Sequence, residues 1–299
     1  MRFAVFKNEE REGLAVAGSQ REFRGLYSDD ANYPGSLDVL IRKGNGALEK
    51  AAGILRAAGG PVNLDKVTLL PPLTAPTKIV CVGLNYVDHS LESGFTPPSY
   101  PTIFSRFTSS LVGANAPILR PIVSTQLDYE GEMVAVIGAG GRHIAEGDAL
   151  GHVSGYSIFN DASIRDYQLK APQWTMGKNF DGTGAFGPYL VTADELPAGG
   201  KGLRIQTRLN GTVVQDATTS DMVFSIAKLI SILSEAITLS PGDVIVSGTP
   251  AGVGMARKPQ LFMKDGDVCE VEIERIGLLR NPVKDEERSN TWCDVRPGR

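Results

Sequence analysis

Asp128-Tyr129-Glu130-Gly131-Glu132 leads directly into the apolar run Met133-Val134-Ala135-Val136-Ile137. The run predicts a β-strand, and side chains two residues apart on a strand point to the same face. A strand that begins near Tyr129 would therefore project Glu130 and Glu132 together. Two carboxylates about 4 Å apart repel each other by roughly 4 kcal/mol at an effective dielectric constant of about 20. The pair either extends into water at a solvated strand edge or is held together by a cation, and a divalent metal ion with oxygen ligands is the natural candidate.

The composition is that of a globular protein and excludes several classes of partner. The chain has 299 residues, of which 42% are hydrophobic and 21% charged, enough to bury a large core. A formal net charge of -4 argues against nucleic acid as a main partner. The three cysteines are far apart in the sequence, which predicts reduced thiols rather than a disulfide framework or a zinc site. Without a signal-peptide core or an apolar run near the ~20 residues of a membrane span, we expect a cytoplasmic protein with no membrane partner.

The distribution of residue types along the sequence predicts three regions, the first two joined by a linker. Residues 1–70 form a small N-terminal α+β unit, with short strands followed by helical spacing over residues 36–58. Three prolines within residues 69–76 predict an extended linker. Residues 71–283 carry short β-branched runs separated by Gly and Pro, which predict a mostly β catalytic domain with few helices. Residues 284–299 form a charged C-terminal tail.

Two elements of the second part can be predicted in detail. Residues 204–216 predict a β-hairpin, because Asn210-Gly211 supplies a two-residue turn. One long helix is predicted with Ser220 or Asp221 as its N-cap. Its apolar residues recur at spacings of three and four, and they are Met222, Ile226, Leu229, Ile230, Leu233 and Ile237. The low number of predicted helices argues against a doubly wound α/β protein or a TIM barrel.

His89 is the histidine whose neighbours point to chemistry. It follows a predicted strand over residues 78–83, and a helical turn beginning at Tyr86 would place it one turn from Glu92. A histidine oriented by a carboxylate just past a strand end is a plausible general base near neutral pH. The alternative is an ordinary His/Glu pair on a helix surface.

A third carboxylate, Asp161, closes the apolar run over residues 156–160. It precedes a predicted helical turn on which Arg165 and Gln168 share one face. Asp161 is therefore either a functional carboxylate or the N-cap of that turn. Two further polar residues lie in a Gly-flanked aromatic segment and at a strand end, and they are Lys178 and Thr249.

Taken in this order, the segments resemble the fumarylacetoacetate hydrolase family over about residues 69–282. The motifs are Gly83-Leu84-Asn85-Tyr86-Val87-Asp88-His89-x-x-Glu92, Asp128-Tyr129-Glu130-Gly131-Glu132, Asn160-Asp161-Ala162-Ser163-Ile164-Arg165-Asp166-Tyr167-Gln168, Gly177-Lys178-Asn179-Phe180-Asp181 and Ser247-Gly248-Thr249-Pro250-Ala251-Gly252-Val253-Gly254. The resemblance implies a β-rich roll whose strands wrap into a flattened barrel, and a homodimer.

The resemblance also implies a role for each candidate residue. It places a Mg²⁺ or Mn²⁺ ion on Glu130, Glu132 and Asp161. It makes His89 and Glu92 a catalytic dyad. Groups that contact the substrate or stabilise a developing oxyanion are implied at Arg165, Gln168, Lys178 and Thr249.

One departure from the family pattern concerns Arg106. Many members carry a lysine in a Phe-Leu-Lys-Pro stretch where this chain has Phe104-Ser105-Arg106-Phe107-Thr108. Arginine keeps the positive charge but offers a planar fork suited to a carboxylate. We therefore expect Arg106 to contribute to substrate binding, and the substrate to belong to a different subgroup.

The function implied by the resemblance is hydrolysis of a C–C bond in an acylpyruvate-like 1,3-diketo acid. The small anionic substrate would yield a 2-oxo acid and a carboxylic acid, with His89 and Glu92 activating water. The same site could instead serve a lyase or isomerase of the family: an oxaloacetate decarboxylase, a 2-oxo-4-enoate hydratase or an enol–keto isomerase. An inactive metal-binding or interaction protein on this scaffold is the alternative from another class.

Overall fold

The computed structural model describes residues 1–18, 22–92 and 98–287. Of the predicted tail, residues 288–299 lie outside the described residues. The strands are β1 (Arg2–Asn8), β2 (Arg11–Ala17), β3 (Phe23–Tyr27), β4 (Gly60–Val62), β5 (Thr68–Leu69), β6 (Ile79–Gly83), β7 (Thr102–Arg106), β8 (Leu111–Val112), β9 (Ile118–Arg120), β10 (Leu127–Asp128), β11 (Gly131–Ile137), β12 (Val153–Asp161), β13 (Ser163–Ile164), β14 (Gly184–Thr192), β15 (Arg204–Leu209), β16 (Thr212–Thr218), β17 (Val244–Val246), β18 (Val268–Ile273) and β19 (Gly277–Asp285).

Helices are fewer and mostly short, as predicted. The α-helices are α1 (Leu37–Arg42), α2 (Asn45–Ala58), α3 (Val87–Glu92), α4 (Arg165–Gln168), α5 (Thr175–Lys178) and α6 (Ile226–Ala236). Short 3-10 turns lie at Leu64–Lys66, Thr108–Ser110, Ala149–His152, Ala193–Glu195, Ala198–Gly200, Thr219–Asp221 and Gly254–Ala256. None of the helices within the described ranges is long and apolar enough to cross a membrane.

Two large sheets and one small one organise the molecule. The largest has the strand order β4-β3-β2-β1-β14-β12-β11-β17-β6-β7, with β5 paired to β1 and β8 paired to β14. The second has the order β16-β15-β18-β19-β9, and β10 pairs with β13 alone. The mostly β fold is therefore confirmed. The described strands form open sheets, so the predicted barrel does not close in this part of the chain.

β11, which the opening motif predicted, lies near the middle of the largest sheet and is buried throughout. Met133, Ala135 and Ile137 pack in the core that includes apolar residues of the second sheet and α6. Val134 and Val136 pack on the opposite side, in the core that includes α1 and α2. A strand covered on both faces reads as a continuous apolar run, which explains why its sequence does not alternate. The strand begins at Gly131, two residues later than we predicted.

The N-terminal strands join the same sheet as the later strands. Within residues 1–70, β1 pairs antiparallel with β14, through Arg2 opposite Val191 and Phe3 opposite Leu190. The helical spacing over residues 36–58 corresponds to α1 and α2, which meet at Gly44 with a φ of 88°. That left-handed backbone favours glycine. The division of the chain at residue 70 stays a prediction.

The predicted hairpin is confirmed, whereas the predicted helix cap is wrong. β15 and β16 are joined by Asn210 and Gly211, whose φ angles of 51° and 78° suit a tight hairpin turn. α6 is capped by Ser225, whose Oγ accepts the N–H of Lys228 at 3.2 Å. Ser225 itself has an extended backbone, with φ -63° and ψ 162°, and just before it the N–H of Phe224 donates to Asn85 Oδ1 at 2.7 Å. Ser220 and Asp221 lie instead in a 3-10 turn.

Candidate active site

The three predicted carboxylates meet in the interior. Glu130 immediately precedes β11, Glu132 lies within it, and Asp161 ends the neighbouring strand β12. One oxygen from each lies within 4.8 Å of the others. Their exposed fractions are 5%, 2% and 0%, which rules out the solvated strand edge. Asp161 is not a helix cap either, since Ile164 occupies the N-cap of α4.

Two cations lie against Glu130. Lys178, at the end of α5, places Nζ 2.6 Å from Glu130 Oε2 and 2.7 Å from Asp161 Oδ2. Arg165 places Nη1 2.6 Å from Glu130 Oε1 and Nε 2.8 Å from Asp128 Oδ2. At the far end of this cluster, Arg106 Nε lies 2.8 Å from Asp161 Oδ1. Buried carboxylates and cations therefore alternate in one continuous chain, in the order Asp128, Arg165, Glu130, Lys178, Asp161 and Arg106.

Glu132 is the carboxylate left over from this alternation. It has no ion pair among the described residues, and its carboxylate accepts the backbone N–H of Gly248. Gly248 has a φ of 99°, and a Cβ there would lie 2.6 Å from Asn85 Cβ. Both constraints favour glycine where the loop approaches the glutamate. Glu132 is consequently a buried carboxylate held by a backbone donor but by no positive side chain.

The two glutamates have opposite pKa shifts. Burial alone would raise the pKa of Glu130, but Lys178 and Arg165 outweigh it and lower that pKa to about 2. Burial raises the pKa of Glu132 well above its usual value, and the charges of Asp161 and Glu130 raise it further. For Lys178, burial lowers the pKa, but Asp161 and Glu130 overcome burial and raise it. The site thus keeps Lys178 protonated, while the charge of Lys178 does not offset the effect of burial and of the neighbouring carboxylates on Glu132.

A divalent cation fits this donor set. Three buried carboxylates offer the hard oxygen ligands that Mg²⁺ and Mn²⁺ prefer. Glu132 is the strongest indication of a bound cation. A buried, charged carboxylate without a cationic partner costs free energy unless another charge compensates it. The same cation would offset the repulsion between Glu132 and its two neighbours.

The predicted His89/Glu92 pair forms at the edge of this cluster. Both lie on α3, with His89 Nδ1 3.0 Å from Glu92 Oε1. Glu92 also accepts the backbone N–H of Gly252, at 2.9 Å to each carboxylate oxygen. His89 is only 7% exposed and its charge contributes to lowering the pKa of Glu130. It is therefore a buried histidine close to the carboxylates, and its partner Glu92 lies at the surface.

Arg165 and Gln168 share a face of α4 as predicted, since Arg165 Nη1 donates to Gln168 Oε1 at 2.8 Å. Their anchor is Asp128, which the sequence reasoning assigned no role. Asp128 accepts the backbone N–H of Gly254 at 2.7 Å and that of Met255 at 2.9 Å. It therefore joins Arg165 to the loop that carries Thr249. Its position at the head of the Asp-Tyr-Glu-Gly-Glu motif was the available signal.

Arg106 lies beside Asp161 and is 3% exposed. Besides the ion pair, its Nη2 donates to the carbonyl of Ala162 at 2.7 Å and to Thr183 Oγ1 at 3.1 Å. A Cβ at position 184 would lie 2.1 Å from Arg106 Nη1, so Gly184 leaves the space that the guanidinium fills. These contacts fix Arg106 against a candidate metal ligand. Its predicted contact with substrate stays a prediction.

Thr249 follows β17, as predicted, and its Oγ1 donates to the carbonyl of Gly131 at 2.9 Å. A residue of the second sheet, Gln215, reaches the same place: its Nε2 lies 2.9 Å from Thr249 Oγ1. Sequence reasoning missed Gln215. No local sequence pattern distinguishes it, because it lies in a hairpin that is far from the other motifs in the sequence.

The motifs, their order and their convergence match a known family. The family described as fumarylacetoacetate (FAA) hydrolase C-terminal matches residues 78–284. The chain belongs to the fumarylacetoacetate hydrolase family. This confirms the resemblance seen in the sequence and places all the candidate site residues inside the matched region.

This chain is similar to curated relatives and to solved structures over most of their length. A Xenopus laevis protein named oxaloacetate tautomerase, mitochondrial, is 43% identical over 86% of this chain and 81% of its own length. A Homo sapiens oxaloacetate tautomerase, mitochondrial, is 42% identical over 86% of this chain and 82% of its own. The structure of a fumarylacetoacetate hydrolase from Exiguobacterium antarcticum has a TM-score of 0.83 at 35% identity, covering 96% of this chain and 100% of that one. A 5-carboxymethyl-2-hydroxymuconate delta-isomerase from Mycobacterium smegmatis has a TM-score of 0.74 at 29% identity, with the same coverage.

Proposed function

We propose that this family member is a divalent-metal-dependent tautomerase that interconverts the enol and keto forms of a small 2-oxo dicarboxylic acid of the oxaloacetate type. The observation that carries the choice of reaction is the 43% identity, over 86% of the chain, to a relative named oxaloacetate tautomerase. Hydrolysis, the first expectation from the sequence, becomes the second candidate. Mg²⁺ or Mn²⁺ is the proposed ion, held by Glu130, Glu132 and Asp161.

The reaction needs one proton moved and one negative charge stabilised. Conversion of enol to keto removes a proton from the enol oxygen and adds one to the carbon at the other end of the C=C bond. Between those events, negative charge is shared between oxygen and carbon. Lys178 is kept protonated in the interior and Arg165 is charged beside it, so both are placed to stabilise an anionic substrate. A bound divalent cation would supply Lewis acidity at the same place.

His89 is the proposed proton carrier. Its Nδ1 faces Glu92 at 3.0 Å, which leaves Nε2 to exchange a proton with the substrate. Because Glu92 is itself fixed by the N–H of Gly252, the orientation of the ring is set by the same loop that carries Thr249. A base held in this way transfers protons in either direction without consuming water.

The deciding experiment follows enol absorbance of oxaloacetate after addition of the protein with Mg²⁺ or Mn²⁺. We expect ketonisation faster than the buffer rate, abolished by EDTA, with no carbon dioxide or pyruvate formed during the fast phase. Enol decay at the buffer rate would contradict the proposal. Release of carbon dioxide together with pyruvate would instead assign the chain as a decarboxylase.

Hydrolysis of acylpyruvates is the second candidate, and the His89/Glu92 pair is the observation that favours it. A histidine oriented by a carboxylate can activate water as well as shuttle a proton. The same protein is therefore assayed with short acylpyruvates, and the carboxylic acid product is measured. Stoichiometric release of pyruvate and a carboxylic acid, without ketonisation of oxaloacetate, would favour hydrolysis. Turnover of none of these substrates would favour the inactive scaffold.

Replacement of His89 separates proton transfer from metal binding. We expect His89→Ala to lower kcat by roughly 10² to 10⁴, the usual contribution of a general acid or base, while Mn²⁺ still binds. His143→Asn is the control, because His143 is exposed and has a φ of 54° that asparagine tolerates. Loss of Mn²⁺ binding together with turnover in His89→Ala would contradict the assigned role and indicate a structural one.

We also propose a homodimer. Analytical ultracentrifugation measures it directly, and a monomer at micromolar concentration would contradict it.

A further inference from the structure

Gln215 is buried between the two large sheets. It lies on β16 and is 2% exposed. The register of the hairpin shifts beside it: Thr207 pairs with Gln215, but Arg208 pairs with Val213, so Val214 is an additional residue. Such a bulge redirects a side chain relative to a regular strand. The close approach of the sheets is visible at Gly131, where a Cβ would lie 2.3 Å from Thr207 Oγ1.

The side-chain amide of Gln215 has a hydrogen-bond partner for its oxygen and for each of its N–H groups. Its Oε1 accepts the backbone N–H of Gly131 at 3.0 Å. Its Nε2 donates to Thr249 Oγ1 at 2.9 Å and to the carbonyl of Pro250 at 2.8 Å. An amide nitrogen has two hydrogens, and each has a partner here. A side chain of the second sheet thus connects the loop of Thr249 to the start of β11.

This arrangement determines the direction of the Thr249 hydroxyl. A hydroxyl has a single hydrogen. Because Thr249 Oγ1 accepts from Gln215, that hydrogen is available for the carbonyl of Gly131, 2.9 Å away. Gly131 therefore has its N–H bound to Gln215 and its C=O bound to Thr249. Gly131 is the residue between Glu130 and Glu132, so its peptide groups set the relative positions of the two carboxylates.

We propose that Gln215 is a positioning residue of the active site, which fixes the peptide groups between Glu130 and Glu132 and directs the Thr249 hydroxyl towards Gly131. Its side-chain hydrogen bonds go to Gly131, Thr249 and Pro250, and it acts through Gly131 and Thr249. The inference rests on the proposed function for its turnover readout and on the proposed metal site for its binding readout.

Gln215→Met is the direct test, because methionine has a similar length and volume without hydrogen-bonding groups. We expect Mn²⁺ affinity, measured by calorimetry at 25 °C, to fall roughly 10-fold to 100-fold, as for other residues that orient metal ligands. We expect kcat at saturating Mn²⁺ to fall as well. Gln206→Met is the matched control: Gln206 lies on the facing strand, and its amide contacts Asp216 and Arg208. That control should match the wild type in both measurements.

Thermal unfolding distinguishes positioning from a merely structural role. A structural role would lower the melting temperature while leaving Mn²⁺ affinity and kcat at 25 °C unchanged, and that result in a folded Gln215→Met protein would overturn the inference. A wild-type protein that binds no Mn²⁺ would contradict the proposed metal site, and the inference would fail with it. Normal wild-type binding with an unaffected variant would contradict the inference alone.

Gln215→Glu provides a second test, which also serves if the methionine variant does not fold. A glutamate keeps an acceptor for the N–H of Gly131 but has no N–H for Thr249 or Pro250. The Thr249 hydroxyl would then turn to donate to the new carboxylate. We expect kcat to fall at least about 10-fold while Mn²⁺ still binds. Wild-type kcat in Gln215→Glu would overturn the role assigned to the amide.

Discussion

Two arginine–aspartate pairs of this molecule have similar nitrogen–oxygen distances and very different surroundings. In the active site, Arg165 Nε lies 2.8 Å from Asp128 Oδ2, with side-chain exposures of 3% and 0%. In the hairpin, Arg204 Nη2 lies 2.6 Å from Asp216 Oδ2, with exposures of 62% and 43%. Water screens the second pair, whereas the charges of the first pair are compensated only by other protein groups that surround them.

Burial couples the Arg165–Asp128 pair to the groups around it, which the exposed pair does not show. Asp128 also binds the loop through Gly254 and Met255, and Arg165 also binds Glu130 and Gln168. Removal of either partner would therefore disturb the candidate metal ligands and the Thr249 loop together. A buried ion pair often adds little net stability compared with apolar residues of the same volume. Its value here is that it positions chemical groups.

Glu130→Ala should have the largest effect, because it removes the carboxylate between Arg165 and Lys178. We expect Mn²⁺ binding and turnover to fall below detection together, since one candidate ligand is gone and two buried cations lose a partner. Calorimetric titration with Mn²⁺ and the enol absorbance assay measure the two losses. Glu272→Ala, which removes an exposed carboxylate beside Arg208, is the control. Unchanged turnover in Glu130→Ala would break the ligand assignment.

Asp128→Ala tests the buried pair directly. It removes one of the two buried carboxylates that lie against Arg165, and it frees two backbone N–H groups of the loop. We expect the free energy of unfolding to fall by about 3–5 kcal/mol, the usual cost of breaking a buried pair from one side. Urea denaturation measures the change. A loss no greater than that of the exposed pair would mean that water reaches Arg165, and the comparison would fail.

Acid should weaken the buried cluster through Glu130. The folded-state pKa of Glu130 is lowered to about 2 from an ordinary value of 4.5, so its contribution to stability is present above pH 4.5 and is lost as the pH falls towards 2. In EDTA, we expect the stability difference between wild type and Glu130→Gln to shrink over this window. Urea denaturation at pH 6, 5, 4 and 3 measures it. A difference that is independent of pH would show that the cations do not hold the Glu130 carboxylate in its charged form.

Local spacing in the sequence predicted two of the close pairs, whereas the approach of Asp161 to the two glutamates was implied only by the resemblance to the family. Glu130 and Glu132 are two residues apart beside a strand, and His89 and Glu92 are one helical turn apart. The same reasoning misplaced the start of β11 and the cap of α6. The segment before α6 contacts a part of the chain that is distant in sequence, since Asn85 accepts the N–H of Phe224, and local spacing carries no information about such contacts. Sequence reasoning also did not predict which cation pairs with which carboxylate, because these pairs form only when strands, helices and loops pack together.

Gln215 shows the limit of local reasoning most clearly. Its partners Gly131 and Thr249 are 84 and 34 residues away in the sequence. No periodicity in β16 distinguishes it from a residue that simply packs in the core. Only the meeting of the two sheets, with a bulge beside Gln215, gives the amide its partners.

Arg204→Ala should have the smallest effect and tests the other side of the comparison. Because the pair with Asp216 is exposed, we expect a change in unfolding free energy within the error of urea denaturation, and a still smaller one in 1 M NaCl, where charges are strongly screened. Turnover and Mn²⁺ affinity should stay at wild-type values. The position of Asp216 makes the test informative, since it directly follows Gln215 on β16. A fall in Mn²⁺ affinity without loss of stability would mean that the exposed pair helps to orient Gln215, and that this surface pair too is coupled to the site.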